Sequence, residues 1–131
     1  MKFDGKVDEF LRGVHFAKLA TLNRSGSPQL TPVWYMYEGG KIIVNTAADR
    51  VKHRNIRRDP RVALLIDEGY RYVSISGRAR IARERDANKD IESLAVRYTG
   101  EERGRKAARE RHWKQERVSI EVVPERVVSD L

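Results

Sequence analysis

NTAADRVKHRNIRRDP, residues 45–60, follows directly on an apolar strand, Lys41 to Val44, and runs straight into a second apolar stretch, Arg61 to Asp67. The residue before a proline is pushed out of the α region, so Asp59-Pro60 stops any helix that starts here. The stretch therefore reads as strand, polar turn, short basic helix and strand. Asp49 is the expected N-cap, which puts Arg50 in the first turn. There the positive end of the helix dipole disfavours a cation unless an anion is bound beside it. At about 100° per residue, Val51 and Ile56 fall on the inward stripe with Lys52 and Asn55 beside them, while Arg50, His53, Arg54 and Arg57 share the opposite face. A lysine that faces inward needs a partner. Two readings stand: Arg50 and Lys52 hold an anion, most simply a phosphate, or the whole run is a solvated helix face, the ordinary fate of a charge run. The inward Lys52 favours the first; Arg54, Arg57 and Arg58 are assigned to solvent.

Outward from this junction the pattern is mainly β. Phe16 to Asn23 and Gln29 to Glu38 read as strands joined by the turn Arg24-Ser25-Gly26-Ser27, and Gly39-Gly40 opens a hairpin into Lys41 to Thr46. Tyr70 to Arg83 alternates cleanly, with Val73, Ile75, Ala79 and Ile81 on one face and Tyr72, Ser74, Ser76, Arg78 and Arg80 on the other. A final strand, Arg117 to Val123, is expected to close the sheet before Pro124. Asp4 can cap a short helix carrying Val7, Phe10, Leu11 and Val14 at helical spacing, and Asp86 a second carrying Ile91, Leu94, Ala95 and Tyr98 before Thr99-Gly100. Glu101 to Trp113 is expected to be helical and mostly solvated, or to lean on a partner. Six hairpin-connected strands with helices between them predict a small antiparallel barrel.

The chain has 131 residues, 40% of them hydrophobic, with no cysteine and a formal net charge of +8. That length without a linker reads as a single domain, 1–131, with a modest core, too small to enclose a large cofactor alone. Without cysteine there is no disulfide scaffold and no thiolate metal site. No apolar signal region or membrane-length apolar run occurs, so a soluble cytoplasmic protein is expected. The positive charge suits a nucleic acid, a polyanionic small molecule or mere solubility.

No P-loop, dinucleotide-binding glycine motif, nucleophile elbow or paired-histidine zinc motif is present. His15, His53 and His112 fall on different elements, so no metal site is expected of them and they read as structural. No acid/base pair stands out, and the catalytic residues are unassigned. Such a chain suits a cofactor that brings its own redox chemistry. Pro32 sits inside the run Leu30 to Tyr37, which implies a sheet edge or a bulge. Free backbone groups at Thr31, Pro32 and Val33 can then hydrogen-bond a flat heterocycle with Trp34 or Tyr35 alongside, or the edge has no ligand at all.

LATLNRSGSPQLTPVWYMY, IIVNTAADRVKHRNIRRDPRVALLI and YRYVSISGRARI, spanning about Leu19 to Ile81, together resemble the pyridoxamine 5′-phosphate oxidase-like split-barrel family. The resemblance is to its small branch dependent on the deazaflavin coenzyme F420 in particular, and it is carried most specifically by the ordered series ATLNRSGSPQLTPVW, NTA, R-x-K, RN and RRDPRVAL. It implies a six-stranded Greek-key split β-barrel with flanking helices, homodimeric, with two cofactor sites in grooves between subunits, which answers the size problem. It implies a cofactor phosphate at Arg50 and Lys52, with Asn45, Thr46 and Ala47 beside it. The ring would lie along Thr31, Pro32 and Val33, with Ser76 and Gly77 approaching from near the dimer seam and Tyr70 and Tyr72 offered by the second subunit. The substrate-binding C-terminal segment of the vitamin B6 oxidases is not found after Val118, which argues against that reaction. Flavin mononucleotide (FMN) and F420 both occur in the family; the polyglutamate tail of F420 would suit surplus arginines such as Arg54, Arg57, Arg58 and Arg78.

Three functions follow for testing. The first is an F420-dependent oxidoreductase passing hydride to a small conjugated or heteroaromatic substrate, with an FMN-dependent enzyme as its alternative. Substrate contacts would come from the Tyr98 to Trp113 region and the partner subunit. The second is a non-catalytic flavin or F420 carrier. The third, a nucleic-acid-binding module, rests on charge alone and is disfavoured because no recognition motif accompanies it.

Overall fold

The computed structural model describes residues 2–131. Its centre is one antiparallel sheet of seven strands: β1 (Ala17–Leu22), β2 (Pro28–Val33), β3 (Met36–Glu38), β4 (Lys41–Ala47), β5 (Arg61–Glu68), β6 (Arg71–Ile81) and β7 (Arg117–Asp130), in the order β2-β1-β5-β6-β7-β4-β3. The two edge strands, β2 and β3, are consecutive in sequence and joined by Trp34 and Tyr35 alone. The three Cα–Cα steps from Val33 to Met36 span at most about 11 Å. The sheet must therefore curl until its edges meet, without hydrogen-bonding there into a closed cylinder. This is a split half-barrel, mainly β with flanking helices.

The six strands expected from sequence become seven at this link. Leu30 to Tyr37 was read as part of one strand, but Tyr35 turns inward and is fully buried, where its hydroxyl donates to the carbonyls of Leu11 (2.9 Å) and Gly13 (3.1 Å). Its backbone N–H donates to the Tyr98 hydroxyl (3.1 Å), which in turn donates to the His15 carbonyl (2.5 Å). Tyr98 thus satisfies backbone groups at the split that no ladder can reach. Pro32 lies on an edge strand, where its missing N–H is harmless. The β1–β2 register is unbroken from Ala17–Val33 to Leu22–Pro28, so the expected alternative of a bulge does not apply.

Inside the barrel Leu19, Ile42, Val44, Leu64, Ile66, Val73, Ile75, Ile120 and Val122 form the core. Helix α1 (Gly5–Arg12), capped by Asp4 on the Val7 amide at 2.9 Å, adds Val7, Phe10 and Leu11 to it. The helix ends at Arg12, which leaves Val14 outside the apolar stripe and exposed.

Helix α2 (Val51–Arg58) carries the basic run. Its N-cap is Arg50 and not Asp49, and no side chain caps it. Val51, expected on the inward stripe, is exposed in the first turn, while Asn55 and Ile56 are buried and Lys52 is half-buried. Asn55 donates to Thr21 Oγ1 and Asn23 Oδ1, both at 3.0 Å, fastening α2 to β1.

Helix α3 (Ala87–Thr99) is capped by Asp86 and buries Ile91, Leu94 and Ala95. Helix α4 (Glu101–Glu110) leans on α3 and is not simply solvated. Gly104 is buried where a Cβ would sit 2.4 Å from the Val96 nitrogen, and Ala108 is buried with it. A 3-10 turn, His112–Lys114, leads into β7. That strand does not stop at Pro124. Its pairing with β6 shifts from Ser76–Arg126 to Gly77–Pro124, a bulge that leaves Glu125 without a partner beside Pro124, and β7 continues to Asp130.

Gly77 serves this bulge, because a Cβ there would lie 2.2 Å from the Val123 carbonyl oxygen. Gly77→Ala is expected to lower the unfolding free energy by about 1–3 kcal/mol through overpacking. Ser76→Ala on the exposed neighbour should change it by less than about 0.5 kcal/mol. Denaturant midpoints of the two variants check this.

Candidate functional site

Where the barrel is split, β2 and its link approach the C-terminal end of β4, the start of α2 and the start of β7. The cavity between them has a volume of about 800 Å³, within the range of small-molecule and cofactor sites. Eight of the ten residues singled out in the sequence line it together: Thr31, Pro32, Val33, Asn45, Thr46, Ala47, Arg50 and Lys52. Ser76 and Gly77 do not. Ser76 is exposed on β6, and Gly77 is buried against β7. Tyr70, at the β5–β6 turn, is almost wholly exposed.

The remaining walls include Trp34, which the sequence offered as a neighbour of a flat ring, and Arg111 and His112 of the Tyr98 to Trp113 region; Phe16, Ile91, Leu94, Gln115 and Arg117 were not singled out. Phe16, Trp34, Ile91 and Leu94 supply apolar surface, and Arg111, His112, Gln115 and Arg117 supply a polar rim. Trp34 stacks on Tyr98, ring centroids 5.3 Å apart and planes within 8°, and His112 meets its edge at 6.3 Å. His112 therefore belongs to the cavity. His15 and His53 instead bond backbone carbonyls of Phe10 (3.0 Å) and Ala48 (2.7 Å).

The charge on this lining is one-sided. Arg50, Lys52, Arg111 and Arg117 are cationic, and no carboxylate lines the cavity. Burial, then Arg50, then Arg117 pull Lys52 below the usual lysine range. Burial, then Arg50, lower Arg117 as well, with Asp49 opposing. Burial, then Arg117, then Arg111 hold His112 below the ordinary histidine value. Cations that depress one another without an acid between them form a site that gains free energy when an anion enters. At the other side of the cavity Thr31 Oγ1, on the edge strand, is buried with no hydrogen-bond partner among the described residues.

Arg117 is the main cation that sequence reading missed. It lies opposite Ala47, two residues along from the Asn45–Ser119 pair, only because β7 pairs with β4. The sequence placed it at the start of the expected final strand but could not name that strand's neighbour. The arginines suggested for an anionic tail lie elsewhere. Arg54 donates to the Asp49 carbonyl (2.8 Å), Arg58 to the Leu22 carbonyl and Asn55 Oδ1, and Arg78 pairs with Glu125 at 3.5 Å. None of these, nor Arg57, lines the cavity.

A family model described as pyridoxamine 5′-phosphate oxidase matches residues 3–129. Among solved structures, a conserved hypothetical protein from Mycobacterium tuberculosis is 31% identical, aligned over 98% of this chain and 84% of its own, with a TM-score of 0.81. An F420 reductase is 24% identical over 92% of this chain and 94% of its own, TM-score 0.71. The heme storage protein HutZ from Vibrio cholerae is 16% identical over 98% and 95%, also at TM-score 0.71. The last two likenesses are of fold.

The depressed Lys52 gives a signed prediction. An anion binds the protonated lysine and raises its pKa, so affinity for inorganic phosphate should fall as pH rises through the free-state Lys52 value, below the ordinary lysine range. Binding at about pH 9 should take up protons, seen as a dependence of the calorimetric enthalpy on buffer ionisation, and Lys52→Met should abolish the uptake.

Proposed function

The chain belongs to the pyridoxamine 5′-phosphate oxidase family, and we propose that it is an oxidoreductase that holds the phosphate of coenzyme F420 on Arg50 and Lys52. The observation that carries this reading is the carboxylate-free cluster of cations at one part of a cavity whose other walls are aromatic and aliphatic. An amphipathic ligand with an anionic arm and a flat ring matches both.

The residues fit such a group. Arg50 sits at the uncapped start of α2, with no acid in the first turn, so side chain, free amides and helix dipole favour the same anion. Lys52 is turned toward it from the half-buried side of the helix. Thr46 and Ala47, buried at the end of β4, hold the backbone of this corner still. The unsatisfied Thr31 Oγ1 offers a hydrogen bond to a ring heteroatom, and Pro32 and Val33 form the edge along which the ring lies. Phe16, Trp34, Ile91 and Leu94 keep water from that ring. Reduced F420 bound there supplies a hydride to a small conjugated or heteroaromatic substrate. The protein's part is orientation and electrostatics, and no side chain acts as nucleophile.

FMN is the alternative occupant, since the cation cluster reads a phosphate and not the ring beyond it. A carrier that binds without turnover would use the same residues.

The active form is proposed to be a homodimer. Across β5, β6 and β7 the outward row Leu65–Ser74–Val128 carries two exposed large apolar side chains, and the next row is Ala63–Ser76–Arg126. A second copy of the chain covering this face would bury that apolar surface and bring Ser76 to the seam.

The full chain is expected to bind F420 at micromolar or better affinity, and the double variant Arg50→Ala/Lys52→Ala to lose about 100-fold or more, from two charge-assisted contacts. Unchanged binding by the double variant in a fluorescence titration would overturn the reading. Tighter binding of FMN than of F420 would transfer it to the flavin. Reoxidation of the bound reduced cofactor by a substrate panel no faster than in free solution would favour the carrier.

A further inference from the structure

Two partly buried arginines, Arg97 and Arg117, have no carboxylate within ion-pair distance among the described residues, whereas the partly buried Arg85 is paired with Asp90 at 2.7 Å. Arg97 donates to the Arg12 and Gly13 carbonyls and does not line the cavity; Arg117 does. Its Nε donates to Asn45 Oδ1 at 2.9 Å and its Nη1 to Gln115 Oε1 at 2.8 Å, both neutral amides. A half-buried guanidinium held only by neutral acceptors keeps its full charge, and here that charge lines the cavity with Arg50 and Lys52.

The amide that aims it cannot turn over. Asn45 Nδ2 donates to the Ala87 carbonyl at 2.9 Å and to Ser119 Oγ at 3.3 Å, so Oδ1 must face Arg117. Ser119 can accept from Asn45 because its own proton goes to the buried Asp90 at 2.6 Å. Asp90 in turn is gripped by Arg85 through both carboxylate oxygens, at 2.7 and 3.1 Å. The chain of bonds runs from Arg85 through Asp90, Ser119 and Asn45 to Arg117, and every link has one direction of donation.

We propose that Arg117 is a third anion-binding cation of the cavity and that Asn45 is its positioning residue, oriented from α3 through Ser119 and Asp90. This rests on the reading that the cavity holds a phosphate-bearing cofactor, and it assigns Asn45 a role through Arg117 and not as a primary phosphate contact. Three cations on a cavity wall that no carboxylate lines among the described residues favour a ligand carrying at least two negative charges on or next to the phosphate.

The test is a double-mutant cycle on the full chain, titrated with inorganic phosphate, FMN and F420. Arg117→Gln should weaken whichever of these the unmodified chain binds by about tenfold or more, the loss of one charge-assisted contact. The deficit should shrink as salt is raised, because screening weakens the attraction in the unmodified chain; a structural role gives a salt-independent deficit. Arg117→Lys, which keeps the charge, should recover part of the loss. Asn45→Ala should weaken binding by about threefold alone and by nothing further in the Arg117→Gln background, since contacts made through one another are non-additive. Thermal midpoints close to that of the unmodified chain identify the variants that report on binding.

Equal affinity of the Arg117→Gln variant, or additive effects of Asn45 and Arg117, overturns the proposal. F420 or FMN binding that survives Arg117→Gln unchanged sinks it while leaving the cofactor reading intact. Phosphate binding that depends on Arg117, in a chain that ignores both cofactors, does the reverse. Binding of none of the three by the unmodified chain removes both.

Discussion

The two-residue link Trp34–Tyr35 is the constraint on which the rest of this structure depends. It ties together the two edges of a seven-stranded sheet, so the sheet can neither stay open nor close by hydrogen bonding. Tyr35 fills the barrel end beneath α1, and Tyr98 on α3 accepts the N–H that the ladder leaves unpaired. One aromatic residue of the link is therefore spent on the core and the other, Trp34, is left facing the gap. The cavity is the space that an unclosed barrel must contain, and its walls are the edge strand on one side and the end of β4 with α2 and β7 on the other.

Electrostatics separates this gap from the remainder of the molecule. A protein with a net charge of +8 has many unpaired surface cations, which cost little because water screens them. Half-buried cations are different. Half-buried Arg85 meets Asp90 and half-buried Arg97 meets the Arg12 and Gly13 carbonyls, while the buried Glu121 is met by the exposed Arg80 and Lys41. Around the cavity the same accounting is left open, with Lys52 and Arg117 each below its ordinary pKa range and only amides in direct contact with Arg117. Several cations clustered on one cavity wall, with no carboxylate lining it among the described residues, form an arrangement that favours an anion.

Much of this was legible locally. Alternation in β6, with Val73, Ile75 and Ala79 buried against exposed Ser76, Arg78 and Arg80, is a period-two signal that needs no partner to be read. The Asp4 and Asp86 caps were equally plain. Errors arose where a long-range contact overrode the local pattern. Leu30 to Tyr37 has continuous β propensity, yet the demand to bury Tyr35 breaks it. Arg50 replaced Asp49 as the cap because the turn after β4 is held by the Ala48 amide donating to Glu116 and the Arg50 amide donating to Ala47. Pro124 was read as a stop, but a bulge against Gly77 carries β7 past it.

The sequence by itself determined most of the strands and helices, the basic start of α2 and the membership in a family of split barrels, because each depends on residues close together along the chain or on an ordered set of short motifs. Only the tertiary structure decided which residues share the cavity. Arg117 lies more than sixty residues from Lys52 in sequence, and no periodicity relates them. Their meeting follows from the pairing of β7 with β4, which a curled sheet enforces through its hydrogen-bonded order. The same pairing placed Ser119 behind Asn45 and Asp90 behind Ser119, turning an amide that local pattern could place only at a strand end into one with a fixed direction.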